Sequence, residues 1–306
     1  MPTKIQTALQ VTAVVVVLFH ACDAAQVHRR VEPRPRTQDA GRTRAFHELN
    51  LAGAPNTAGF VVTGIRKGET RYDLEVDGAA VEARPRGAGL ALTGAALVGV
   101  VIDLRDAAGE AYELMFAAAD TTPFWAGTTA MVPTYSLTYT SDAHMSPQPL
   151  CTAGVNEAIL FSGERYDAVR KTVTATGSAA DGWVNIGCAA TALAKLFLVR
   201  HTEASQEVPT VREERQAMLK MFTADVCGDG TSFTAHGQPL FWADAKGITR
   251  LPQAPSLLEA VWDESGAVCM NRARRPEFES AIEARCGRLP RCTPQSRGHV
   301  MSAIPR

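Results

Sequence analysis

Between residues 47 and 140, apolar side chains recur at every second position, the spacing of strands that bury one face. Tyr72, Leu74 and Val76 alternate with polar neighbours, Asp77-Gly78 supplies a turn, and Val81 and Ala83 return as the second strand of a hairpin. Val98, Val100, Ile102 and Leu104 lead through a turn at Asp106 to Glu110 into Tyr112, Leu114 and Phe116, and Tyr135, Leu137 and Tyr139 predict a further strand. The stretch Ser141 to Pro149, with Pro147 and Pro149, predicts a boundary. Beyond it the period changes. Residues 188–200 are apolar nearly all round, which predicts a buried helix opening at Cys188. A second helix is predicted from Thr210, where Thr210 and Glu213 have capping-box spacing, and it runs through Met218, Leu219 and Phe222 to Cys227. Thr231 to Ala235 and Pro239 to Trp242, around His236-Gly237, predict another hairpin, and Glu277 to Cys286 a last helix.

The fold class expected is therefore α+β: a small antiparallel β domain at 47–140, then a cysteine-rich α+β domain at 150–292 built on an antiparallel helix pair, with 293–306 as a tail. Residues 1–25 read as an export signal, with Lys4 followed by the short apolar run Val14 to Phe19. Ala21-Cys22 resembles the end of a lipoprotein leader, in which Cys22 becomes the lipidated first residue; ordinary cleavage near Ala24 or Ala25 is the alternative. Residues 26–46, rich in arginine with Pro33 and Pro35, read as a linker that holds the folded body off the membrane.

Charge narrows the partners. With 31 basic and 32 acidic residues there is no net field to draw in nucleic acid; a lipid anchor at Cys22 would bring membrane contact, and the sequence names no other partner. Of the seven cysteines, Cys22 leaves the pool by lipidation or cleavage. Cys151, Cys188, Cys227, Cys269, Cys286 and Cys292 remain, an even number suited to three structural disulfides in an oxidising compartment. An antiparallel helix pair favours Cys188 with Cys227, with Cys151 a competitor for either.

Catalytic readings have weak support. A cysteine hydrolase of papain type would place Cys188 at a helix start, where the dipole lowers a thiol pKa, with His236 or His201 as base and Asp225 or Asn185 as orienting group. Using Cys188 that way leaves an odd number of cysteines to pair. Asp225, Asp229 and Ser232 offer oxygens for calcium, but without EF-hand spacing, and Asp-Gly is ordinary turn chemistry. His47, His144, His201, His236 and His299 show no zinc-binding grouping, and no nucleophile elbow, Walker loop or dinucleotide fingerprint occurs, so no cofactor is expected. Trp183, Trp242 and Trp262 read as core rather than as a carbohydrate or peptide groove.

Several separated blocks carry a resemblance. Thr223-Ala224-Asp225-Val226-Cys227-Gly228-Asp229-Gly230-Thr231 is similar to the signature of the ADYC domain family, named for an Ala-Asp-Tyr-Cys tetrad, with Val226 in place of the tyrosine. Gly182 to Cys188, Arg200-His201-Thr202, Glu214 to Lys220 and Trp262 to Cys269 resemble the family in the same order, over roughly residues 150–292. The resemblance implies an exported bacterial protein, often with a lipoprotein-type leader, and brings no catalytic residues with it. The expected function is an exported, envelope-attached binding or structural protein without enzymatic activity; the competing reading is the cysteine hydrolase acting on cell-wall or peptide substrates.

Overall fold

The computed structural model describes residues 46–127, 129–152, 156–252 and 256–305. The export signal, Cys22 and the linker through residue 45 lie outside the described residues.

The period-two segments form one antiparallel sheet. Its middle is the long hairpin of β7 (Ala111–Pro123) and β8 (Met131–Ser141), paired from Tyr112 opposite Ser141 to Pro123 opposite Met131. On one side follow β6 (Val101–Arg105), β2 (Val61–Lys67), β3 (Thr70–Asp77), β4 (Ala80–Pro85) and β5 (Leu92–Thr93). The Asp77-Gly78 and Asp106–Glu110 turns fall where the alternation places them, with Asp77 opposite Ala80 and Arg105 opposite Ala111. On the other side lie β10 (Ala158–Phe161), β13 (Trp183–Cys188) and β1 (Glu48–Asn50). The sheet curls on itself, and the Ser162 amide donates to Gly78 O at 3.0 Å, joining the end of β10 to the β3–β4 turn. Inside the curl Leu104, Leu114, Phe116, Tyr135, Leu137 and Leu160 are buried.

This arrangement corrects the boundary expected at Ser141 to Pro149. That stretch holds β9 (His144–Pro149), which turns back on β8 at the sheet margin, where proline's missing N–H is tolerated. Strands from both halves of the chain then share the sheet. The linker also ends earlier than expected: Phe46 is buried with its ring 4.8 Å from that of Phe60. Glu48, fully buried in β1, accepts from Arg165, whose guanidinium lies 3.7 Å over the Trp183 ring.

A second layer comprises α1 (Ala192–Leu198), α2 (Arg212–Thr223) and a four-stranded sheet in the order β14 (Phe241–Asp244), β17 (Val300–Pro305), β15 (Ser256–Asp263), β16 (Gly266–Met270). The helices pack on each other, and α2 lies on this sheet. Leu196, Phe197, Met218, Met221, Trp262 and Val300 fill the space between. Residues 293–306, expected as a tail, instead supply the interior strand β17, and the Ser302 hydroxyl accepts from Trp262 Nε1 at 2.8 Å. β17 takes β14 as its partner, so the hairpin predicted around His236-Gly237 does not form, and Thr231–Ala235 run as coil. The helix expected from Cys188 begins later. Cys188 closes β13, and Thr191 caps α1 by accepting from the Ala194 amide. Thr210 is not the cap of α2: the Glu214 carboxylate accepts from the Val211 amide at 2.9 Å, while the Thr210 hydroxyl donates to Gln206. The predicted last helix is α3 (Glu279–Cys286), after a short turn.

The six cysteines stand in three pairs, Cys151–Cys188, Cys227–Cys286 and Cys269–Cys292. The expected Cys188–Cys227 bond is therefore replaced. Cys188 sits at a strand end beside the returning β9–β10 connection, whereas Cys227 faces α3.

Candidate functional site

The signature tetrad begins where α2 stops. Ala224 adopts a left-handed conformation (φ 48°), and its amide and that of Asp225 donate to Met221 O and Lys220 O, closing the helix end in a Schellman pattern. Asp225 is wholly buried and accepts from Lys220 Nζ at 3.1 Å and from the Gly230 amide at 2.9 Å. Lys220 Nζ, equally buried, also donates to Gly228 O at 2.9 Å. The ion pair thus ties the loop after the helix to the helix itself. Cys227 then fastens the loop to α3. Gly228 lies so close to the β15–β16 turn that a Cβ there would sit 1.6 Å from Ser265 O, and a Cβ on Gly230 would sit 2.5 Å from Val169 O. Val226, in the tyrosine position, is buried and its carbonyl accepts from the Ala267 amide. The tetrad is a structural corner at which four segments meet backbone to backbone.

The two carboxylates weighed as calcium ligands are already engaged. Asp225 serves Lys220 and Gly230, and Asp229 accepts from the Thr231 amide and from Arg285. The Thr231 amide and the Arg285 guanidinium hold the Asp229 carboxyl at about 2. Among the described residues no cluster of His, Cys, Asp and Glu suits a metal ion.

The hydrolase constellation is not assembled. Cys188 is bonded to Cys151 at the end of a strand, so it offers no thiolate at a helix start. The Asn185 amide donates to Phe161 O and Glu164 O inside the sheet, and Asp225 belongs to the corner. His201 is buried 3.5 Å from Asp244. Burial opposes the charge on Asp244, but His201 and Thr249 overcome it and hold the carboxyl well below its ordinary range. Of the two candidate bases, His236 borders a cavity. Trp262 is wholly buried and Trp183 nearly so, as core residues; Trp242 is half-buried with its ring edge-on to Phe222.

That cavity, of about 440 Å³, lies between the end of β13, α1, α2 and the coil at 232–240. Its walls are mostly apolar, with Ile186, Leu193, Leu219, Phe222 and the Cys188 end of a disulfide. Polar side chains also line it, among them His47, Asp167, Lys171 and Ser232. Lys195 projects from α1, an otherwise apolar helix, and Arg274 lies at the back, its guanidinium 3.0 Å from Glu259. His236 and Gln238 stand at the mouth. Burial first, and the Arg274 charge second, push the Lys195 pKa down. Lys195 was missed by sequence reasoning; its signal was a lone cation in an apolar helical run, which reads equally as a solvated residue. A larger hollow of about 690 Å³ lies over β2 and β3, where Asp73 pairs with Arg86 at 2.8 Å and Glu75 with Arg84 at 3.1 Å.

Fold and site together define a disulfide-stapled α+β protein with an open cavity of mainly apolar wall surface beside its helix pair. Residues 94–276 match the sequence model of the ADYC domain, and the chain belongs to the ADYC domain family. The match starts earlier than the resemblance at 150–292 and takes in β6 to β9, which belong to the shared sheet. No curated protein and no solved structure matches the chain.

Proposed function

We propose that this protein is an exported binding module that holds a small molecule in the cavity between β13, α1 and α2, and that it is attached to the cell envelope through a lipidated Cys22. The carrying observation is the cavity itself. A volume of about 440 Å³ with mainly apolar wall surface and interspersed polar groups is the usual form of a small-molecule site, which spans roughly 300–1,000 Å³. Export is supported by the basic, then apolar, start of the chain and by three disulfides, which persist in oxidising compartments. No helix among the described residues is long and apolar enough to cross a membrane, so attachment rests on the Ala21-Cys22 pattern.

The test is titration of the native, disulfide-bonded chain with the uncharged dye Nile red. Saturable binding at one site is expected, and Ala235→Trp, which places an indole at the cavity mouth, should abolish it without lowering the melting temperature. Dye binding that is unchanged in Ala235→Trp would place the site elsewhere and remove the proposal. Metabolic labelling with a fatty acid separately tests attachment: label on the wild type and none on Cys22→Ala is expected, and equal labelling of both refutes it.

A further inference from the structure

We infer that the cavity takes a small organic anion, one carboxylate-type charge on an apolar body, with Lys195 as its counter-charge. This rests on the reading of the cavity as the binding site. The argument is a charge inventory of its walls. Arg274 is neutralised by both oxygens of Glu259 and also donates to Met221 O and Phe222 O. Lys171 donates to Gly230 O. Asp167 is held by the Val169 and Arg170 amides, each at 2.8 Å. Lys195 differs from these. Among the described residues its ammonium has no hydrogen bond and no carboxylate within ion-pair distance; its aromatic neighbour is the Phe222 ring, 5.9 Å away.

A half-buried ammonium without an acceptor is costly, and one anion in the cavity removes that cost. The apolar walls account for the rest of the ligand, since Ile186, Leu193, Leu219 and Phe222 offer it nothing but contact. A doubly charged ligand would leave one charge unmatched, and a cationic one would be repelled by Lys195.

Calorimetric titration of the native chain with decanoate, decanol and decyltrimethylammonium tests this. Decanoate should bind about tenfold more tightly than decanol, the scale of one charge-assisted hydrogen bond in a partly buried site, and the ammonium should not bind. Lys195→Met should erase the gap by weakening decanoate alone, and Lys195→Arg should restore most of it. Equal affinities for decanoate and decanol in the wild type, or a gap that survives Lys195→Met, overturn the inference while leaving the cavity as a binding site. If none of the three ligands binds and Nile red also fails, the reading of the cavity falls with it. The wild-type comparison needs no variant, so it decides the matter even if Lys195→Met does not fold.

Discussion

The signature aspartate is a scaffold residue, and removing it should cost stability rather than binding. In Asp225→Ala the Lys220 ammonium, only 1% exposed, keeps its charge but loses its carboxylate partner. Breaking one side of a buried pair costs roughly 3–5 kcal/mol. The Gly230 amide also loses its acceptor, a further loss of about 1 kcal/mol for a partly buried donor. Together these give about 4–6 kcal/mol, or on the order of 10 °C in melting temperature for a chain of this size. Lys220→Met should cost a similar amount, by leaving Asp225 charged and unpaired. The double variant Lys220→Met/Asp225→Ala buries no lone charge and should lose only about 1–2 kcal/mol, so the coupling between the sites should be large. The assay is urea denaturation with disulfides intact, comparing midpoints at constant slope. Additive losses, or a loss below about 1 kcal/mol for Asp225→Ala, would refute the reasoning. So would an Asp225→Ala chain of wild-type stability that no longer binds Nile red.

Two further predictions follow from the cross-links and the acid groups. Cys227→Ala, Cys286→Ala and their double should lose the same stability, about 4 kcal/mol for a bond spanning 59 residues, because one bond is lost in each case; the double Cys188→Ala/Cys227→Ala should instead be additive, and the reverse pattern in denaturant midpoints would reject the pairing. Asp244 has a folded pKa below its ordinary value of 3.8, so its contribution is present above that value and is lost as pH falls through it toward the folded value. Stability should therefore fall progressively as pH drops below about 4, and Asp244→Asn should be less stable near neutral pH with a shallower acid limb; an unchanged limb in thermal melts below about pH 4 would exclude the Asp244 contribution.

The hairpins at Asp77-Gly78 and at Asp106 to Glu110 could be read directly, because strand period and turn chemistry are properties of adjacent residues. The same holds for the family blocks, and for a cysteine set whose even number suited three bonds. Pairing over long distances was decided elsewhere. Val300 to Pro305 is too short and too close to the end of the chain to announce a strand, yet it lies between β14 and β15 because Trp262 and Ser302 bury their polar atoms against each other. Cys188 was placed on a helix because the apolar run after it has no local stop; the strand pairing of Ala158 with Cys188 ends β13 there and brings Cys151 to it. The prolines at 147 and 149 signal a break in any local reading, whereas at a sheet margin they cost no ladder bond. Lys195 is one cation among 31 in the sequence. It becomes a candidate site residue when folding surrounds it with apolar walls and gives the neighbouring charged groups partners of their own, which is a property of the packed chain and of no segment within it.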